Sequence, residues 1–258
     1  MTHLRPITDQ ASIQLAPNPG PMTLDGTNSY VLRAGAGPAV VVDPGPEDAG
    51  HLAALAATRP ALILITHRHV DHTEGAETLH RLTGAPVRAP EAEHCHGGDP
   101  LVGGERITVG DLVIDVIATP GHTADSTCFH LPGDGPTGSV LTGDSVLGRG
   151  TTVIGIPDGT LGEYLDSLRT LIALGPCHVL PAHGPDLPDL TAICRQYLEH
   201  REQRLDQVRA ALAALGVAAA DAEVPAVADA VYGDVDPGVR FAAEHSVAAQ
   251  LAYLRSAG

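Results

Sequence analysis

Ala61-Leu62-Ile63-Leu64-Ile65-Thr66-His67-Arg68-His69-Val70-Asp71-His72 joins an unbroken apolar run to a dense set of side chains that bind metals. A run of that length and composition reads as a strand buried on both faces. Three imidazoles and a carboxylate packed together just after it would repel and desolvate one another unless a cation held them. His67 and His69 lie two apart, so they cannot share a helix face. On a loop leaving the strand, alternate residues converge on one ion, while Asp71 and His72 turn towards a second.

The same sequence of events recurs downstream. A strand-like stretch over 112–117 delivers Thr119-Pro120-Gly121-His122-Thr123, a turn that aims one imidazole. Ser139-Val140-Leu141-Thr142 delivers Gly143-Asp144, and Cys177-His178-Val179-Leu180 runs into Pro181-Ala182-His183-Gly184. Upstream, alternation predicts strands at 12–15, 30–32 and 39–43, a helix over 47–58 with acidic residues in its first turn, and a helix over 74–82 ended by Gly84. Further strands are expected at 107–109 and 126–131, and an amphipathic helix at 161–174. The fold class is α/β, with ligand loops gathered at strand ends.

After about Leu190 the character changes. Residues 191–215 form a long helical pattern without ligand turns, and helices are expected at 225–232 and 237–254, separated by Gly233-Asp234-Val235-Asp236. The chain therefore divides into a sheet domain, 1–190, and a helical appendage, 191–258.

Composition narrows the function classes. Only 3% of residues are aromatic and Trp is absent, so the core rests on Val, Leu, Ile and Ala. With 15 Lys and Arg against 31 Asp and Glu, the net charge is −16, which argues against tight binding to long nucleic acids. The four cysteines show no Cys-x-x-Cys spacing and read as reduced thiols. The N-terminal residues lack a signal-peptide pattern and nothing approaches a membrane span, so a cytoplasmic location and no membrane partner are expected.

The candidate metal ligands are His67, His69, Asp71, His72, His122, Asp144 and His183. Five imidazoles and two carboxylates suit two divalent ions, Zn2+ by preference, with Mn2+ or Fe2+ as alternatives. Two ions ~3.5–4 Å apart share a hydroxide at neutral pH and polarise a carbonyl or phosphoryl oxygen. Asp71, His72 and Asp144 are the candidate catalytic residues. Asp43 reads either as an acceptor orienting a ligand histidine or as a turn residue. The cluster His94-Cys95-His96 reads as a polar loop rather than an accessory metal site, and Thr123 as a turn residue that could also touch substrate.

His-x-His-x-Asp-His followed by a lone His, a lone Asp and a last His resembles the metallo-beta-lactamase superfamily. The resemblance implies a four-layer αββα sandwich, with His67, His69 and His122 on one metal, Asp71, His72 and His183 on the other, and Asp144 bridging. Asn18-Pro19-Gly20-Pro21, Thr23-Leu24, Gly26-Thr27-Asn28, Val42-Asp43-Pro44-Gly45-Pro46, Ala182-His183-Gly184-Pro185 and His200-Arg201-Glu202 are similar to the beta-lactamase-like protein two family. That narrower resemblance implies a winged-helix-like C-terminal domain and a pocket lined by Asn28. Its members include a single-stranded RNA endoribonuclease and thioesterases.

The expectation is thus a dinuclear metal-dependent hydrolase of a small thioester or ester. Single-stranded RNA is the alternative substrate, with Arg68, Arg149 and the arginines over 195–209 as its track. A non-catalytic, metal-stabilised binding module and a single-iron redox enzyme are the alternatives from other classes.

Overall fold

The computed structural model describes residues 4–233 and 240–256. One sheet runs in the order β1 (Arg5–Pro6), β2 (Ala11–Leu15), β3 (Asn28–Leu32), β4 (Ala39–Val42), β5 (Pro60–Leu64) and β6 (Val87–Arg88). The other runs β11 (His178–Pro181), β10 (Ser139–Gly143), β9 (Thr127–Leu131), β8 (Leu112–Ala118) and β7 (Arg106–Val109). β4, β5 and β6 are parallel, as are β10 and β11, and the other pairs are antiparallel.

Alternation along the strands sorts their side chains into layers. Tyr30, Leu32, Val40, Val42, Leu62 and Leu64 meet Leu112, Ile114, Val116, Phe129 and Leu131 between the sheets. The intervening Val31, Val41 and Ile63 face outward, where Leu52, Leu55 and Leu79 cover them from α1 (Ala49–Ala56) and α3 (Ala76–Thr83). On the opposite flank Cys128, Val140 and Val179 pack under α4 (Leu161–Ile172) and the first half of α5 (Leu190–Leu215). This is an αββα sandwich. A one-residue slip in any central strand would exchange its inner and outer sets, so register is strongly specified.

The second half of α5 joins α6 (Val224–Tyr232) and α7 (Arg240–Ser256) through Val208, Leu212, Val227, Val247 and Leu251. The described residues over 190–256 form these three helices and no strand. The expected helix start at 237, the separator 234–236 and His3 lie outside the described residues. Among those described, no helix is long and apolar enough to cross a membrane.

Two local expectations change, and two short strands were not expected. The helix over 47–58 begins later, because Asp48 caps it by accepting the N–H of His51, and no acidic residue stands in its first turn. The short edge strands β1 and β6 carry too few residues to show a period. The stretch after His69 is a single helical turn, α2 (Val70–Thr73), not a loop. The His69 carbonyl accepts N–H bonds from His72 and Thr73, and Asp71 sits in the first turn, where the exposed N–H groups favour an anion.

Candidate metal centre

The strands deliver the ligand-type residues to one edge of the sandwich. β8 and β10 run the same way because each is antiparallel to β9, so His122 and Asp144 leave the sheet at the same end. β10 and β11 are parallel with Gly143 opposite Pro181, which brings Asp144 and His183 out side by side. The first sheet is tied to this edge by the N–H of Asn28 donating to the Ala182 carbonyl and that of Thr127 donating to the Thr66 carbonyl. Glycine makes two of the approaches possible. At Gly143, with φ 50°, an added Cβ would lie 2.9 Å from Thr66, and at Gly121, with φ 139°, it would strike the Tyr164 backbone at 2.4 Å.

The seven residues fall into two groups whose possible ligand atoms lie within 4.8 Å of one another: His67, His69, His122 and Asp144, and then Asp71, His72 and His183. In the first, His69 Nδ1 is 3.0 Å from His67 Nε2 and 3.1 Å from His122 Nε2, and His122 Nε2 is 3.5 Å from Asp144 Oδ2. In the second, Asp71 Oδ2 is 3.3 Å from His72 Nε2 and 3.2 Å from His183 Nε2. Asp144 Oδ1 lies 3.3 Å from His183 Nε2 and 3.7 Å from His72 Nε2. One carboxylate thus offers an oxygen to each group. His69 presents Nδ1 inward where the other four histidines present Nε2, a choice that spacing alone does not reveal.

The outward nitrogens are held from behind. His122 Nδ1 donates to the Val153 carbonyl at 2.6 Å and His183 Nδ1 to the Gly26 carbonyl at 3.2 Å. Asp43 resolves its two sequence readings in favour of orientation. Buried at 2% exposure, it accepts the Thr66 N–H on Oδ1, and on Oδ2 both the Thr66 hydroxyl at 2.7 Å and His72 Nδ1–H at 2.9 Å. Since the Thr66 hydroxyl donates to Asp43, it accepts from His67 Nδ1, 3.0 Å away. A single buried carboxylate therefore orients one imidazole in each group. Its backbone, with φ 50°, is in the left-handed region that Asp tolerates better than most residues.

The electrostatics of the two groups differ. Burial, reinforced by the neighbouring imidazoles, holds His67 well below the usual histidine range and pushes His69 down to about 4. Burial also opposes a charge on His72 and on His183, yet the carboxylates around them outweigh it and raise both above the ordinary value. Burial likewise works against ionising Asp71, but His72 and His183 hold its carboxyl well below the usual range. The carboxylates therefore demand positive charge between the rings. Inside that space His72 Nε2 and Asp144 Oδ1 are buried with no hydrogen-bond partner among the described residues. Ligands bonded at ~2.0–2.1 Å around a tetrahedral ion lie roughly 3.3 Å apart, close to the separations here. The donor set, its spacing and its orphaned atoms all fit divalent cations.

Other candidate residues take supporting places. Asn28 is buried, its amide donating to the carbonyls of Pro181 and Gly184, and Thr123 is buried with its hydroxyl 2.7 Å from that of Ser126. Both brace ligand loops through these bonds, and Asn28 also lines a cavity with Asp25, Arg149 and Gly184. His94, Cys95 and His96 do not converge: His94 lies near Glu93, the Cys95 thiol turns to the Ala89 and Glu91 carbonyls, and His96 stacks on His80. Arg68 pairs with Glu91 and Asp158, and Arg149 binds Asp25 through two nitrogens. The support from Val153 and the spanning role of Asp43 were not legible, since neither partner lies near its histidine in sequence.

Residues 22–183 match the model of the Metallo-beta-lactamase superfamily. The chain is 36% identical over 209 residues to the atrochrysone carboxyl ACP thioesterase of Aspergillus fumigatus, covering 77% of this chain and 63% of the relative, so it spans less than two thirds of that protein's length. It is 30% identical over 266 residues to the beta-lactamase-like protein 2 homolog of Caenorhabditis elegans, covering 96% of this chain and 85% of the relative. A beta-lactamase domain protein from Burkholderia ambifaria shares the fold with a TM-score of 0.80 at 21% identity, over 99% of this chain and 88% of the other. With the ligand-type residues converging at the sandwich edge, the chain belongs to the metallo-beta-lactamase superfamily of metal-dependent hydrolases.

Proposed function

We propose that this protein is a dinuclear hydrolase acting on a small thioester or ester. The observation that carries the reading is Asp144, whose two oxygens face separate groups of ligand-type residues. His67, His69 and His122 would hold one ion, Asp71, His72 and His183 the other, with Asp144 between them. Two divalent ions, when bound, supply a nucleophile from water at neutral pH and polarise the acyl oxygen.

The residues around that chemistry have definable tasks. The Thr27 hydroxyl donates to Asp71 Oδ2 at 3.1 Å and would hold that carboxylate as a ligand, and the proton released when water adds to the acyl carbon leaves on the departing sulfur or oxygen. Cleavage of the C–S or C–O bond then yields an acid and a thiol or alcohol. The cleft beside His122 and Asp144 has a volume of about 230 Å3; Pro21, Met22, Leu24, Leu147 and Val153 give it an apolar side suited to a small acyl group, and Arg149, Thr151 and Thr152 a polar one. The thioesterase relative supports the same substrate class. Arg68 and Arg149, the cationic side chains nearest the site in sequence, are already paired with carboxylates, which weighs against a phosphate backbone as substrate.

The test is hydrolysis of short acyl-pantetheine thioesters by metal-loaded protein, read as thiol release, beside a labelled single-stranded RNA. Thiol release abolished by Asp144→Asn is the expected result. RNA cleavage without thiol release would overturn the substrate class and leave the centre in place.

A further inference from the structure

Behind the 151–154 segment lies a second cavity, of about 280 Å3, enclosed by that segment, α4, α5, α6 and α7. Thr151, Thr152 and Val153 line both this cavity and the cleft of the metal centre, so the segment is the partition between them. The Val153 carbonyl accepts His122 Nδ1, and the Thr152 carbonyl accepts a guanidinium N–H of Arg201.

The cavity wall is chemically incomplete. Gln250 is 2% exposed, lines the cavity, and among the described residues has no hydrogen-bond partner for either amide atom. Arg201 is 5% exposed and lies over the Tyr164 ring at 5.1 Å, with Nε unpartnered among the described residues. His200 Nδ1 is buried and likewise has no partner among the described residues. Arg204, half-buried, enters the same wall over the Tyr232 ring at 5.1 Å, with Nη1 donating to Gln207 Oε1 at 2.7 Å and Nε to His200 Nε2 at 3.4 Å. Its hydrogen-bonding groups are thus only partly engaged, and its charge is not neutralised by either partner. In a chain with 31 carboxylates, neither Arg201 nor Arg204 forms an ion pair among the described residues. Burial and these two guanidiniums push the His200 imidazole below its ordinary range, as a positive local field requires. A buried guanidinium with no counter-charge among the described residues and an amide NH2 with no acceptor among them are both costly arrangements that a bound anion relieves. Leu161, Val153 and Ala249 supply an apolar side to the same space.

We propose that this cavity is a second binding site, for a small organic anion. Its carboxylate or phosphate group would sit against Arg201, Arg204 and Gln250, and a short apolar body against Leu161 and Val153. The site is distinct from the metal centre and does not depend on the substrate proposed above.

Titration calorimetry on full-length, metal-loaded protein tests it, with hexanoate, inorganic phosphate and neutral hexanamide as probes. Wild type is expected to bind at least one of the two anions at least tenfold more tightly than hexanamide. Gln250→Leu and Arg204→Gln should each weaken that binding at least tenfold, while Asp71→Ala, which disrupts the centre, leaves it unchanged. Hexanoate binding alone would assign a carboxylate with an apolar body, and phosphate binding alone a phosphate group. Failure of wild type to prefer either anion to hexanamide would overturn the proposal, even if a variant misfolds. So would binding lost in Asp71→Ala or retained at full strength in the two cavity variants.

Discussion

The two halves of the centre are built from similar residues and behave differently. His67, His69 and His122 stand ring against ring, and burial leaves His67 and His69 reluctant to take a proton. His72 and His183 face Asp71, and the carboxylates around them draw positive charge. In the first half His67 and His69 are therefore prepared for a cation as neutral donors, while the second half is an anionic site. The difference teaches that one local motif, His-x-His-x-Asp-His, feeds two environments, because Asp71 and His72 on α2 meet His183 while His67 and His69 meet His122.

The comparison can be broken most severely at the residue the halves share. Asp144→Asn should lower kcat/KM by ~1000-fold or more, since it weakens both halves at once and removes several kcal/mol of transition-state stabilisation. Steady-state kinetics on a thioester checks this, with metal analysis showing fewer than two ions per chain.

Removing one ligand from each half separates them. His69→Ala should leave one ion at Asp71, His72 and His183, and Asp71→Ala one ion at His67, His69 and His122, each with activity reduced ~100-fold or more. Metal content by mass spectrometry reads the result directly. Loss of both ions in both variants would show that the halves bind only as a unit.

Asp43→Asn touches neither ion but disturbs His72 directly and His67 through Thr66. Metal affinity should fall ~10–100-fold, as expected for loss of a partner that orients a ligand. Competition with a chelator should detect it in both halves, whereas a structural role in one loop would affect one half only.

The smallest expected effect is in pH. Because His72 and His183 hold protons more tightly than usual, an ion entering the second half must displace them, whereas His67 and His69 are already neutral. As pH falls from ~7.5 towards ~6, the second half should lose its ion first, by ~10-fold in relative affinity. Metal titrations at several pH values check the order.

Much of this protein was legible along the chain. The apolar run before His67, the turns around His122 and His183, and the strand before Asp144 announced their places through alternation and turn residues. These are local signals, spanning a few residues each. The helices expected over 161–174 and 191–215 were equally plain, from their periodicity, and are found at Leu161–Ile172 and Leu190–Leu215. Edge strands of two residues were not, because a period cannot show in so short a segment. The helical turn at Val70–Thr73 was hidden by the ligand spacing, which reads equally well as a loop.

By itself the sequence showed the αβ alternation and residues of ligand type at strand ends, since periodicity and residue type are read within each segment, whereas the shared edge comes from strand pairing across the sheet. Only the tertiary structure decided how the inventory divides: that Asp144 faces both groups, that His69 turns Nδ1 inward, and that Asp43 spans two histidines. It also decided that Arg68 and Arg149 are paired, and that Arg201 and Gln250 meet in a cavity behind Val153. Those outcomes depend on contacts far apart in sequence, such as Thr66 to Asp43, 23 positions apart, and Arg149 to Asp25, 124 apart, where no local pattern links the partners. Side-chain pairing at that range is settled by packing of the layers, and packing is a property of the whole chain.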